Sequence, residues 1–85
     1  MNIKLVGDQW NDLTALSGIA LNTALAFQNL SSNTLIAEES ATKPADGNYS
    51  GTQLAHLEWR QSAKHAQKVW LRPINGNGEV FVEAL

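Results

Sequence analysis

The chain ends in two largely apolar runs that are separated by a short asparagine–glycine segment. Residues 68–74 and 79–85 are rich in β-branched and aromatic side chains, and residues 75–78 repeat the pair Asn-Gly. Asn and Gly tolerate the positive φ angles that a tight turn between strands requires. The pattern therefore predicts a C-terminal β-hairpin with a positive φ at Gly76 or Gly78.

Alternation also assigns the hairpin side chains to two faces. The choice of Asn-Gly pair for the turn shifts the register between the strands by an even number of residues, which leaves every side chain on the same face. One face carries four aliphatic side chains, those of Val69, Leu71, Val80 and Val82. Trp70 shares the opposite face with Phe81. Since both faces carry large apolar groups, we expect both to be covered.

The first half of the chain contains a long uncharged run that is ambiguous between strand and helix. Residues 13–37 have no charged side chain, but polar residues interrupt the run and leave no apolar stretch of roughly 18 residues, which excludes a membrane span. The apolar spacing of residues 13–30 fits a helix with Asp12 as its N-cap. Gly18 and the missing charged face favour instead a loop followed by a strand over residues 23–28.

Other segments predict further short strands. Residues 2–6 alternate with Ile3 and Leu5 inward, and residues 34–37 predict a strand that returns beside residues 23–28 as a first hairpin. The core candidates of that hairpin are Leu25, Phe27, Leu35 and Ile36.

The rest of the chain completes an all-β pattern. Residues 41–51 contain Pro and Gly turn signals and predict an exposed loop. Residues 52–59 predict another strand, and the helix formers in residues 61–67 predict one helical turn. Strands about ten residues apart and joined by turns predict a single all-β domain over residues 1–85, a small antiparallel β-sandwich or barrel.

Composition narrows the partners that this domain can have. Six Lys and Arg against eight Asp and Glu give a formal charge of −2, so no positive field gathers phosphates and nucleic acid is not an expected partner. Without cysteine, neither a disulfide nor a cysteine-based metal site stabilises so small a core. The first residues lack the layout of a signal peptide, so we expect synthesis in a cytoplasm.

No combination of residues predicts catalysis or a bound cofactor. His56 and His65 are the only histidines, and their spacing matches no metal-ligand motif. Glu38 and Glu39 are adjacent, so on a strand they point to opposite faces and cannot converge on one substrate. The glycine-rich residues 75–78 precede a strand, not the helix that would hold a phosphate. We therefore expect no enzyme activity, no metal and no cofactor.

Apolar and aromatic side chains point instead to binding. Three residues are candidates for a binding surface, since their rings can stack on a sugar or fill a pocket of a partner: Trp10, Tyr49 and Trp59. The final strand places apolar groups on both of its faces, so a monomer would expose a large apolar patch and we expect a homo-oligomer. The candidates for the contact between copies are Phe27, Trp70, Phe81 and Leu85.

Several short motifs occur in a recognisable order along the chain. They are Trp10-Asn11-Asp12-Leu13, Gly18-Ile19, the strand Thr23-Ala24-Leu25-Ala26-Phe27-Gln28-Asn29, Leu35-Ile36, Pro44 in a glycine-containing loop, and Val69-Trp70-Leu71-Arg72 before a glycine turn. In this order of motifs the chain resembles the small virion proteins of tailed bacteriophages. One departure is Asn22, which stands where a glycine often precedes the threonine in those proteins, and Asn also supplies such a turn.

The resemblance implies a β-sandwich built into the virus particle, commonly as a symmetric oligomer, and it brings no catalytic residues. The expected function is that of a structural protein of the virion, a head decoration or a head or tail accessory protein, made in the cytoplasm of the host bacterium. Its expected partners are further copies, with a trimer favoured, and a major capsid or tail protein. The alternative from residue chemistry is a small module that binds a carbohydrate or a host surface through exposed Trp or Tyr.

Overall fold

The computed structural model describes residues 1–62 and 68–85. In chain order these residues form eight strands and one helix: β1 (Asn2–Leu5), β2 (Asn11–Asp12), α1 (Leu13–Ser17), β3 (Leu25–Asn29), β4 (Leu35–Ser40), β5 (Thr52–Leu54), β6 (Trp59–Gln61), β7 (Lys68–Pro73) and β8 (Gly78–Ala84). The helical turn predicted for residues 61–67 lies, beyond its first two residues, outside the described part of the chain.

The strands form two four-stranded antiparallel sheets that pack as a sandwich around one interior. Sheet A has the order β1-β8-β3-β6 and sheet B the order β2-β7-β4-β5. This confirms the predicted β-sandwich, with both C-terminal strands included. Among the described strands, every connection crosses between the sheets except the one from β4 to β5.

The two C-terminal strands lie on either side of the predicted turn, but they pair with other strands and not with each other. β7 lies between β2 and β4 in sheet B, and β8 lies between β1 and β3 in sheet A. The segment between them therefore crosses the sandwich. Asn75 has a φ of 61° and Gly76 a φ of 130°, which confirms the predicted positive φ at Gly76. An Asn-Gly turn reverses the chain both in a hairpin within one sheet and in a connection that crosses to the other sheet. The local sequence pattern therefore does not distinguish the two.

The first predicted hairpin is not formed, because β3 belongs to sheet A and β4 to sheet B. Its core candidates are all buried. Leu25, Phe27 and Leu35 lie in the interior, whereas Ile36 is buried in a separate cluster on the outer face of sheet B. Alternation along each strand therefore identified which side chains are buried, although the two strands do not pair.

The ambiguous uncharged segment contains one turn of helix followed by a strand. α1 begins at Asp12, whose carboxylate accepts a hydrogen bond of 3.0 Å from the Ala15 N–H. It ends at Gly18, whose φ of 71° is the left-handed conformation that glycine adopts without strain. The helical alternative, with Asp12 as its N-cap, is therefore correct for residues 13–17, and the loop that the sequence favoured there is wrong. β3 follows and begins at Leu25, two residues later than the strand predicted there.

The interior between the sheets is filled by aliphatic residues and one phenylalanine. Its buried members are Leu5, Leu13, Leu25, Phe27, Leu35, Ala37, Leu54, Val69, Leu71, Val80 and Val82. The four aliphatic residues that alternation placed on one face are all among them, and they face each other from opposite sheets. Phe27, which the sequence suggested as a contact between copies, is 1% exposed. That suggestion is wrong, because so small a domain uses this large ring to fill its own core.

A second buried cluster lies on the outer face of sheet B and consists of Trp10, Ile36 and Trp70, with Ile74 packed against it. Its cover is the connection between β4 and β5, residues 41–51, which we call the strap. The indole N–H of Trp10 donates to the carbonyl of Ala45 in the strap at 3.3 Å. The loop predicted to be exposed thus covers an apolar face.

Two sequence predictions are corrected by this cover. Trp10 was expected at a binding surface and Trp70 at a contact between copies, but they are 3% and 8% exposed. The indole N–H of Trp70 donates to the carbonyl of Ser40 at 3.0 Å, where the strap begins. Trp70 and Phe81 were expected on one face, and they lie on the outer faces of opposite sheets because β7 and β8 belong to different sheets.

Arg72 ties the strap to sheet B. It is only 4% exposed, and its guanidinium carbon lies 4.2 Å from the centroid of the Tyr49 ring. One terminal nitrogen donates to the Tyr49 hydroxyl at 3.0 Å, and the other donates to the carbonyl of Asp46. The Trp10 ring lies 6.0 Å away. Oxygen acceptors and aromatic faces thus take the place of water around a buried cation.

We expect Gly7→Ala to destabilise the fold by about 2 kcal/mol or more, because a Cβ there would lie 2.3 Å from the backbone of Gly76 at the crossing from β7 to β8. Urea denaturation measures the loss. Gly47→Ala is the matched control, since no heavy atom lies within 4 Å of its added Cβ, and its effect should stay within about 0.5 kcal/mol. Equal stabilities for the two variants would contradict the close approach.

Tyr49→Phe should cost about 1 kcal/mol, because it removes the hydrogen bond to Arg72 and keeps the stacked ring. In an Arg72→Met background the same change should cost almost nothing, since the hydrogen-bond partner is already gone. Thermal or urea unfolding of the four proteins in this cycle gives the coupling. An equal cost in both backgrounds would show that Arg72 does not hold the strap through Tyr49.

Candidate functional site

One side of the molecule presents a continuous stretch of chain without charge. Within the uncharged residues 13–37, the strand residues from Leu25 onward are mostly buried, whereas residues 14–24 are half-buried or exposed except for Ser17. Leu16 is 50% exposed and Leu21 is 46% exposed. We call residues 14–24 the uncharged surface. It consists of α1 without its buried first residue, Leu13, and of the loop that leads into β3.

Within residues 1–62 and 68–85 no strap lies over the outer face of sheet A, which carries two cross-strand rows. In the first row, Gln28 on β3 lies between Phe81 on β8 and Trp59 on β6. The two aromatic rings meet above this row, with centroids 5.9 Å apart and planes at 77°. This edge-to-face contact fixes the orientation of the Trp59 indole, which remains 53% exposed.

The second row forms the floor and ends of a groove beside the aromatic pair. Ala26 on β3 lies directly between Gln61 on β6 and Glu83 on β8. A cleft of about 570 Å³ opens here. Its lining residues are Ala26, Trp59, Arg60, Gln61, Glu83 and Leu85. We call this cleft the Trp59 groove. Its small alanine lies between larger neighbours, which makes the surface concave.

The structure separates the three aromatic residues that the sequence suggested for surface binding. Trp10 is buried under the strap, and Tyr49 is 57% exposed but stacks one side of its ring on Arg72. Trp59 lies on the outer face of sheet A, on the opposite side of the sandwich from Tyr49. A single small ligand therefore contacts only one of the two exposed rings.

The four candidates for contacts between copies divide in the same way. Phe27 and Trp70 are buried within the chain. Phe81 is half-buried beneath Trp59, and Leu85 is 62% exposed beside the groove. The exposed leucines of the uncharged surface were not suggested individually by the sequence. The sequence indicated them only through the run of residues without charge, and this run does not distinguish buried from exposed residues.

Sequence reasoning missed the polar residues of the groove and the anchoring role of Arg72. Gln61, Ala26 and Glu83 become neighbours only because β3 pairs with β6 on one side and with β8 on the other. No local motif records pairings between segments so far apart in the chain. Arg72 gave no signal beyond being a charge within an apolar strand.

Residues 1–62 and 68–85 contain no group of three or more metal-ligating side chains placed to share an ion. In the same ranges no helix is long and apolar enough to span a bilayer. His56 instead lies with its Nδ1 2.9 Å from the carbonyl oxygen of Ser31, as a structural contact between two loops.

Comparison with known proteins identifies no relative of this chain. The chain matches no protein-family model, no curated protein and no solved structure.

Proposed function

We propose that the protein is a structural component of a tailed-bacteriophage virion, a head decoration or a head or tail accessory protein that acts by protein–protein assembly. The observation that carries the proposal is the uncharged surface of residues 14–24, taken together with the order of motifs that resembles small virion proteins. The partners are further copies of the chain, with a trimer favoured by the resemblance, and a major capsid or tail protein.

The uncharged surface suits a contact with another protein. Charged side chains are depleted at the centres of interfaces, while free surfaces carry them frequently. Here the surface has none, and it leaves about half of Leu16 and of Leu21 in contact with water. Burying these two side chains against another subunit stabilises the assembly through the hydrophobic effect.

Strand addition at β6, one of the two edges of sheet A, is a less suitable route to assembly. β6 is an edge strand of three residues, and Arg60 in its centre faces inward, opposite Phe27. Its guanidinium lies 3.8 Å from the Glu39 carboxylate of sheet B. Short edge strands with inward-pointing charge discourage pairing with another chain. We therefore propose the side chains of the uncharged surface, and not the β6 edge, as the contact.

Light scattering behind a sizing column should give the wild-type protein a mass several times 9.2 kDa, with a trimer favoured. The double variant Leu16→Ser, Leu21→Ser should elute as a folded monomer, because it removes the exposed apolar groups from the contact. Leu57→Asn is the matched control: it is also a half-exposed leucine, but its N–H bonds to Asn29, at the opposite end of β3 from residue 24.

The Leu57→Asn control should keep the oligomer mass of the wild type. The backbone φ at residue 57 is 68°, a conformation that Asn adopts more readily than Leu. A wild-type protein that is monomeric at micromolar concentration would refute association. A double variant with the wild-type mass would refute the assignment to the uncharged surface.

Antibody labelling of purified phage particles, viewed by negative-stain microscopy, should place the protein at repeated positions on the head or at the tail. Repetition is expected because a symmetric particle offers many equivalent sites. Particles from a phage that lacks the gene provide the control. A protein that is abundant in infected cells and missing from purified particles would contradict a structural role in the virion.

A further inference from the structure

We propose that the Trp59 groove binds a neutral saccharide, a function that goes beyond assembly. The groove combines three features on one sheet face: an exposed and fixed indole, a concave floor at Ala26, and planar polar groups at both ends, Gln61 and Glu83. Each feature corresponds to one part of a sugar ring.

The indole supplies the apolar platform. A domain of 85 residues needs the buried area of its large side chains, and it buries Trp10 and Trp70, yet 53% of Trp59 remains exposed. The edge of one ring rests on the face of the other in the pair with Phe81, so Trp59 needs little further ordering when a ligand binds. A fixed, exposed indole stacks on the C–H groups along one side of a pyranose ring.

The ends of the groove supply hydrogen bonds to hydroxyl groups. Gln61 and Glu83 flank Ala26 in one row, so two strand spacings separate their backbones, about 10 Å. A single sugar ring with one hydrogen bond at each end fits such a span. The Gln61 amide donates and accepts, and the Glu83 carboxylate accepts, which together match hydroxyl groups that do both.

The Glu83 carboxylate disfavours an anionic sugar at its end of the groove. Glu79 and Glu83 both lie on the outer face of β8, where Lys4 of β1 is the cross-strand partner of Glu79. The Met1 ammonium donates to the carbonyl of Val82 at 2.8 Å. Arg60, whose backbone borders the groove, directs its guanidinium to the Glu39 carboxylate at 3.8 Å. The chain carries a formal charge of −2. A phosphate or an acidic sugar would meet repulsion at the Glu83 end. The cleft of about 570 Å³ also has the size of a small-molecule site.

Titration with saccharides tests the proposal in solution. The probes are glucose, galactose, N-acetylglucosamine and β-linked disaccharides of each, followed by the three indole N–H signals in ¹H–¹⁵N spectra. At least one probe should shift the Trp59 signal saturably, with a dissociation constant on the order of 1 mM. The signals of Trp10 and Trp70 should stay in place, because their N–H groups are bonded to Ala45 and Ser40 inside the fold.

Variants separate stacking from general changes in the surface. Trp59→Ala should weaken binding roughly tenfold or more, and Trp59→Phe should keep part of it, since an aromatic face remains. Glu83→Ala should also weaken binding, whereas Leu57→Asn, outside the groove, should leave it unchanged. Thermal unfolding and the signals of the buried tryptophans verify that each variant is folded.

Three results would overturn the saccharide site. They are a Trp59 signal that no probe shifts, equal binding by Trp59→Ala and the wild type, and a loss of oligomer mass in Trp59→Ala without any sugar binding. The last would make the groove a subunit contact. Assembly through the uncharged surface is measured separately by the Leu16 and Leu21 variant, so the two proposals fail independently.

Discussion

Nearly every connection of this sandwich crosses from one sheet to the other, and this constraint determines what its two outer faces become. The connection from β4 to β5 is the exception among the described strands, since both lie in sheet B. Its residues 41–51 are therefore able to fold back over sheet B as the strap. No segment of the described chain covers sheet A in this way, and Trp59 is 53% exposed.

Side-chain amides stabilise the crossings where backbone pairing ends. Asn29 at the end of β3 is fully buried, and its amide nitrogen donates to the carbonyls of Asn33 and Leu54, both at 3.0 Å. Asn11, the first residue of β2, has the same role at the connection from β1, where its amide nitrogen donates to the carbonyl of Val6 at 3.0 Å and to that of Leu71 in β7 at 3.1 Å. Buried backbone carbonyls need partners, and an amide side chain provides them where no neighbouring strand does.

The Asn33 amide completes this pattern at the C-terminal crossing, where it donates to the carbonyl of Ile74 at 2.8 Å. The asparagines that mark turns in the sequence therefore connect turns from different parts of the chain. This explains why the turns could be predicted while their partners could not. A turn residue reports its own backbone conformation, but the carbonyl that it binds is set by packing of distant segments.

The same distinction explains which site residues were predictable. Alternation gave the inward residues of β7 and β8 because the period of a strand is a local property. The exposure of an outward aromatic residue depends on what covers it. Trp10 and Trp59 have similar chemistry, yet a strap anchored by Arg72 reaches the first and no described segment covers the second. The local sequence around a tryptophan does not show whether a distant segment covers it, so both Trp10 and Trp59 were predicted at the surface.

The two proposed surfaces meet at the C-terminus. The N–H of Leu85 donates to the carbonyl of Ala24 at 2.9 Å, and Leu85 also lines the Trp59 groove. The groove therefore begins where the uncharged surface ends. Copies that associate through residues 14–24 would bring their grooves close to the shared contact, all in the same relation to the symmetry axis. A shallow site binds one sugar weakly, but several linked copies bind a glycan-bearing surface with an avidity about 10²–10⁴ times higher. Assembly would thus convert a weak groove into an effective attachment surface, which gives a physical reason for both features to occur in one small chain.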